Sequence, residues 1–170
     1  MKIYIGFSKP SEFSAFASLI EFVESRGYDH VYVRVQEPIS NRWMIFQASG
    51  LAVNLISAQN FIHTKVSLKE YEIECTDAQY KAVWDFINTS LGLPYSLIED
   101  LGILLMKIFR LKNQPFNKGM SAWFCSKLGA QICEILGIVI PEDVADIDPS
   151  ALDLILGNLK FPCVLNPQFQ

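Results

Sequence analysis

Three side chains in this sequence are of the types that carry out covalent chemistry together: Cys125, His30 and Gln47. A thiolate attacks carbonyl carbon, an imidazole takes and returns the thiol proton, and a polar group fixes the imidazole's orientation. Cys125 lies in Ser121-Ala122-Trp123-Phe124-Cys125-Ser126-Lys127-Leu128-Gly129, which reads as a helix start. Ser121 is the candidate cap. Phe124, Leu128, Ile132 and Ile135 recur at helical spacing, and Gly137 is a left-handed stop. In the first turn, unsatisfied backbone N–H groups and the helix dipole favour a thiolate over a thiol.

The base and its orienting group come from strands. Asp29-His30-Val31-Tyr32-Val33-Arg34-Val35 alternates with a period of two, so the valines face one way and His30, Tyr32 and Arg34 the other. A turn at 37–41 leads to a second strand, Arg42 to Ala48, which carries Gln47, and a third runs from Ala52 to Ile56. Such short connections make an antiparallel meander. Lys2 to Phe7 reads as an earlier strand, and a further β segment is expected between Lys65 and Glu74. Helices are expected from Ser11 to about Gly27, from the capping box Thr76-Asp77-Ala78-Gln79 to Leu91-Gly92, and from Ser150 to Leu159. One or two apolar helical segments are expected between Ser96 and Leu111.

Each of these residues also has an inert reading. A free cysteine is commonly a buried packing residue, and a lone histidine is commonly a satisfied one. His63 competes as the base, although Phe61-Ile62-His63-Thr64 lacks a clean alternation. Cys133 lies deep inside the helix, where no terminal N–H groups remain, and reads as packing, as do Cys75 and Cys163. Trp43 and Trp123 are candidates for lining a groove or for filling the core.

The whole-chain balance narrows the classes. With 170 residues, 51% hydrophobic and 19% charged, one domain with a sizeable core is expected. A net charge of −4 argues against a basic nucleic-acid surface. The four cysteines form no CxxC pair and there are two histidines, so neither a metal nor another cofactor is expected. The first residues lack the apolar region of a signal peptide, and Leu101 to Leu111 is too short to cross a bilayer. A soluble, cytoplasmic protein follows as the expectation, with membrane contact not favoured.

The order of these landmarks resembles the circularly permuted branch of the NlpC-type papain-like superfamily, which includes YiiX-like hydrolases and is related to lecithin retinol acyltransferase. The matching residues are Asp29-His30-Val31-Tyr32-Val33, Phe46-Gln47-Ala48-Ser49-Gly50, Gly92-Leu93-Pro94-Tyr95 and Phe124-Cys125-Ser126, over about residues 28–137. The resemblance implies an α+β, permuted papain-like domain over 1–170, its antiparallel sheet packed against the nucleophile helix, with an apolar insert at about 97–111. It implies Cys125 as nucleophile, His30 as base and acid, Gln47 as orienting residue, and Tyr95 as a candidate for shaping the substrate site or helping the oxyanion; Trp123 is the groove candidate beside it. The implied activity is cysteine hydrolysis of amide bonds, including those of cell-wall peptides. Acyl transfer on lipid-like substrates and a non-catalytic binding module are the alternatives. Where the family more often carries His or Glu this chain has Gln47, and Lys127 replaces the Glu of Cys-Ser-Glu.

Overall fold

The computed structural model describes residues 1–12, 27–50, 52–95, 123–141, 144, 147–167 and 169. Most of the expected Ser11 helix, the apolar insert at 97–111 and the expected cap Ser121 lie outside them. The fold is α+β. Strands β1 (Lys2–Pro10), β2 (His30–Gln36), β3 (Trp43–Ser49) and β4 (Ala52–Ser57) form the expected antiparallel meander. A short helix, α1 (Ala58–Ile62), precedes β5 (Lys65–Glu74), which pairs with the free side of β1. Helices α2 (Asp77–Ser90), α3 (Cys125–Ile135) and α4 (Pro149–Asn158) follow, then β6 (Cys163–Leu165). The sheet has six strands in the order β4-β3-β2-β1-β5-β6.

Local chemistry sets the helix ends. Thr76 accepts from the Gln79 N–H at 3.2 Å while the Gln79 side chain accepts from the Thr76 N–H at 3.0 Å, the reciprocal box that opens α2. Asp148 caps α4 through the Ala151 N–H at 2.8 Å, with Pro149 in the first helical position. Gly137, at φ 80°, ends the α3 region as expected. The start of α3 differs from expectation. The capping residue is Phe124, which makes no side-chain cap bond, so the helix begins at Cys125 itself and not behind Ser121.

Strand alternation sorts the sheet into two buried faces. Ile5, Phe7, Val31, Val33, Phe46 and Ala48 lie on the face that carries α2, α3 and α4, packed with Ile87, Leu128, Ile132 and Leu152. A Cβ built on Gly129 would lie 2.8 Å from Val31 Cγ1, so α3 rests directly on β2. Tyr32 and Ile45 point the other way and are covered by Ala58 and Phe61 of α1. On this second face the sheet buries polar groups. Glu70 is fully buried and takes a bidentate pair from Arg34, at 2.8 and 2.6 Å. Arg34 lies over the rings of Tyr4, at 3.9 Å, and Trp43, at 4.6 Å. The Tyr32 hydroxyl donates to Glu70 at 3.0 Å and also bonds Ser67.

Gly6 makes room for this arrangement, because a Cβ there would fall inside the Tyr32 ring. Gly6→Ala is therefore expected to destabilise by about 1–3 kcal/mol through overpacking, read as a lowered denaturant midpoint at unchanged slope. In a Tyr32→Ala background the same change should cost much less. Equal costs in both backgrounds would show that the ring is not the obstacle.

Candidate active site

His30 is the first residue of β2, directly opposite Ser8 of β1, and is 5% exposed. It belongs to the Tyr32 face, and so does Gln47, two residues beyond Ile45 on β3. Their side chains meet. His30 Nε2 and Gln47 Oε1 are 2.8 Å apart.

The surrounding amides decide which ring nitrogen carries hydrogen. Asn54 Nδ2 donates to the carbonyls of Ser49 and Ala52, both at 3.2 Å, which can only accept. That leaves Asn54 Oδ1 to accept from Gln47 Nε2, at 3.2 Å. Gln47 Oε1 must then face the ring as an acceptor, and Nε2 of His30 is the protonated nitrogen. The basic lone pair is on Nδ1. Burial pushes the His30 pKa down to about 3, the Lys65 charge acts in the same direction, and the Gln47 hydrogen bond opposes them. The imidazole is neutral at ordinary pH.

Cys125 is the first residue of α3 and is buried. The segment before it is tied to the sheet: Ala52 bridges Pro94, Trp123 N–H donates to the Pro94 carbonyl at 3.1 Å, and Trp123 bridges Tyr95. The two residues expected at the substrate, Tyr95 and Trp123, are thus neighbours. Trp123 is 5% exposed and packs edge-on against Phe86 at 5.4 Å, so it belongs to the core, whereas Tyr95 is half-buried. Lys127 is buried beside the same helix start, its ammonium 5.3 Å from the Trp123 ring and 5.8 Å from Phe124.

The structure joins His30 to Gln47 but does not join either to Cys125. No hydrogen bond links Cys125 to His30 among the described residues. Cys125 belongs to the cluster on the Val31 face, and alternation along β2 aims His30 to the other face. Both residues stand at one end of the sheet. Cys125 is one helical turn from Gly129, which touches Val31, the neighbour of His30.

The competing assignments fall away. His63 is exposed and terminates α1. Cys133 is fully buried, and burial pushes its pKa up to about 12, a packing thiol. Burial also raises Cys75 and Cys163. Sequence reasoning missed Asn54 and Ser8. Asn54 carried a signal, as the one polar residue of Ala52-Val53-Asn54-Leu55-Ile56, in register with Gln47 once the strands pair.

The buried neutral ring has a stability signature. Its folded pKa of about 3 lies below the ordinary 6.5, so the unfolded chain binds the extra proton between these values. The contribution is fully present above pH 6.5 and is lost as pH falls toward 3. Stability should fall by about 1.4 kcal/mol per pH unit in that window from this group, and His30→Gln should flatten the slope. An unchanged slope in the variant would place the titration elsewhere.

No protein-family model and no curated protein matches the sequence. Among solved structures, the crystal structure of the metalloprotein YiiX from Escherichia coli O157:H7, DUF1105, is similar, with a TM-score of 0.57 and 16% identity over 99% of this chain and 88% of that one. At that identity the likeness concerns the fold. YiiX is called a metalloprotein. Among the described residues here, no three His, Cys, Asp or Glu side chains cluster as metal ligands, and no step is drawn through a metal. Nor is any helix among them long and apolar enough to cross a membrane.

Proposed function

We propose that this chain is a cysteine-dependent hydrolase of amide bonds on a permuted papain-like fold, with Cys125 as nucleophile, His30 as base and Gln47 as its orienting residue. The observation that carries the reading is the buried 2.8 Å bond between His30 and Gln47, locked by Asn54, which leaves Nδ1 basic. A histidine whose tautomer is fixed through two successive amides is what general-base catalysis requires.

The thiol proton passes to Nδ1 as sulfur attacks the carbonyl carbon. The C–S bond forms while the carbonyl π pair moves onto oxygen, where N–H groups of the first helical turn face the charge. Nδ1–H then protonates the leaving amine as the C–N bond breaks. A water, deprotonated by Nδ1, then adds to the acyl carbon; the C–S bond breaks, and Nδ1–H returns its proton to sulfur as the acid leaves. The reading requires the start of α3 to come round the open end of β2, so that sulfur and ring meet on one side. With a ring that is neutral down to about pH 3, transfer occurs during attack and not from a preformed thiolate–imidazolium pair.

A second reading is a non-catalytic binding or assembly module on the same scaffold. The opposite faces assigned to Cys125 and His30 favour it, as does the absence of a carboxylate at position 47. Acyl transfer on lipid-like substrates would rest on the insert at 97–111, outside the described residues.

A peptide amide library separates the readings. The hydrolase should cleave members of it, lose cleavage with Cys125→Ala, and show no loss near pH 6.5 on the acid side, because its base does not titrate there. Gln47→Glu should raise the His30 pKa by about one to three units through the added opposite charge. A Cys125→Ala variant with unchanged cleavage would end the cysteine assignment, and a wild type that cleaves nothing leaves the binding module.

A further inference from the structure

The face that holds His30 carries one polar side chain from each of five neighbouring strands: the half-buried Asn54 and the buried Gln47, His30, Ser8 and Ser67. The register makes this a row. Gln47 pairs with Asn54, Ser8 with His30 on one side, and Ser8 with Ser67 on the other. Hydrogen bonds join its two ends. At one end Asn54 holds Gln47, and Gln47 holds His30 Nε2. At the other, Ser67 bonds the Tyr32 hydroxyl, which donates to the buried Glu70 carboxylate. Since the Tyr32 proton goes to Glu70, Ser67 supplies its own proton to the Tyr32 oxygen.

Between the two ends stands Ser8. It is 0% exposed, and its hydroxyl oxygen has no hydrogen-bond partner in the structure. A buried hydroxyl without a partner is costly. Side chains of directly opposed residues stand about 5 Å apart at Cβ. A serine hydroxyl has three staggered positions about χ1, and the residues directly opposite Ser8 on its two neighbouring strands, His30 and Ser67, each carry an acceptor.

We propose that Ser8 is a positioning residue of the His30 site, donating its hydroxyl to Nδ1 at rest and so joining the two halves of the row. When the ring takes a proton, the hydroxyl turns. It then accepts from Nδ1–H and donates to Ser67, and the chain of donors runs unbroken through Ser67 and Tyr32 to Glu70. The carboxylate that is missing at position 47 is thereby supplied at a distance, through three hydroxyls. This assignment rests on the reading of His30 as the base, with the Ser8 hydroxyl giving way at Nδ1 when a thiol or leaving amine engages it, but it does not depend on Cys125.

The test is nitrogen-15 spectroscopy of the His30 ring in the full chain at neutral pH, with His63→Gln removing the other histidine. The wild-type ring should be the Nε2–H tautomer, with its Nδ1 resonance displaced from the free-lone-pair position. Ser8→Ala should return Nδ1 to that position and leave the Nε2–H signal in place, and Ser8→Thr, which keeps a hydroxyl, should restore the displacement. An Nδ1 resonance identical in wild type and Ser8→Ala overturns the proposal. If Ser8→Ala does not fold, a slowly exchanging Ser8 hydroxyl proton coupled to Nδ1 in the wild type supports it, and the lack of that coupling overturns it. Carrying Cys125→Ala in every sample separates this result from the fate of the hydrolase reading.

Discussion

A β-strand can give each side chain to only one face, and everything about this protein's candidate chemistry follows from how β2 obeys that constraint. Val31, Val33 and Val35 take the face that α3 covers, which leaves His30, Tyr32 and Arg34 for the other. Because the side-chain period is two, no local adjustment can turn His30 alone without breaking the register with β1. The imidazole therefore meets Gln47, while the Cys125 helix rests on the valines.

The second face buries polar and charged groups and closes the hydrogen bonds of most of them, the Ser8 hydroxyl apart. Arg34 and Glu70 neutralise one another in bidentate geometry, Tyr32 and Ser67 extend the pair, and Gln47 and Asn54 satisfy the imidazole. Removing one partner of such a set leaves its mate desolvated, which costs more than the bond itself contributes. That asymmetry gives the row rigidity. Burial explains the neutral His30: a ring taken out of water, near the Lys65 charge and held by a neutral amide, has little to hold a charge.

Much of the sheet was legible in the sequence, because alternation at 29–35, 42–48 and 52–56 is strong and the turns between them are short. The capping box at Thr76 and the stop at Gly137 were legible for the same reason, that each is a local bond pattern. The β6 strand was not, since three residues at a sheet edge have no periodicity to read. The start of α3 was misplaced because Ser121 offered cap chemistry while the structure uses Phe124, which offers none. The pairing of His30 with Gln47 followed from strand order. The face of the sheet chosen by the Cys125 helix did not, because that choice depends on Gly129 fitting against Val31, a contact between segments nearly a hundred positions apart.

The central claim is that His30 serves Cys125 despite their separate faces, and acylation of Cys125 by an activated acyl donor at neutral pH, followed by intact mass, tests it most directly. Wild type should acylate faster than a folded His30→Phe variant by about 10²–10⁴-fold, the contribution of a positioned general base. Equal rates in the two proteins would mean that the imidazole is a bystander to the thiol, and the hydrolase would have to give way to the binding module.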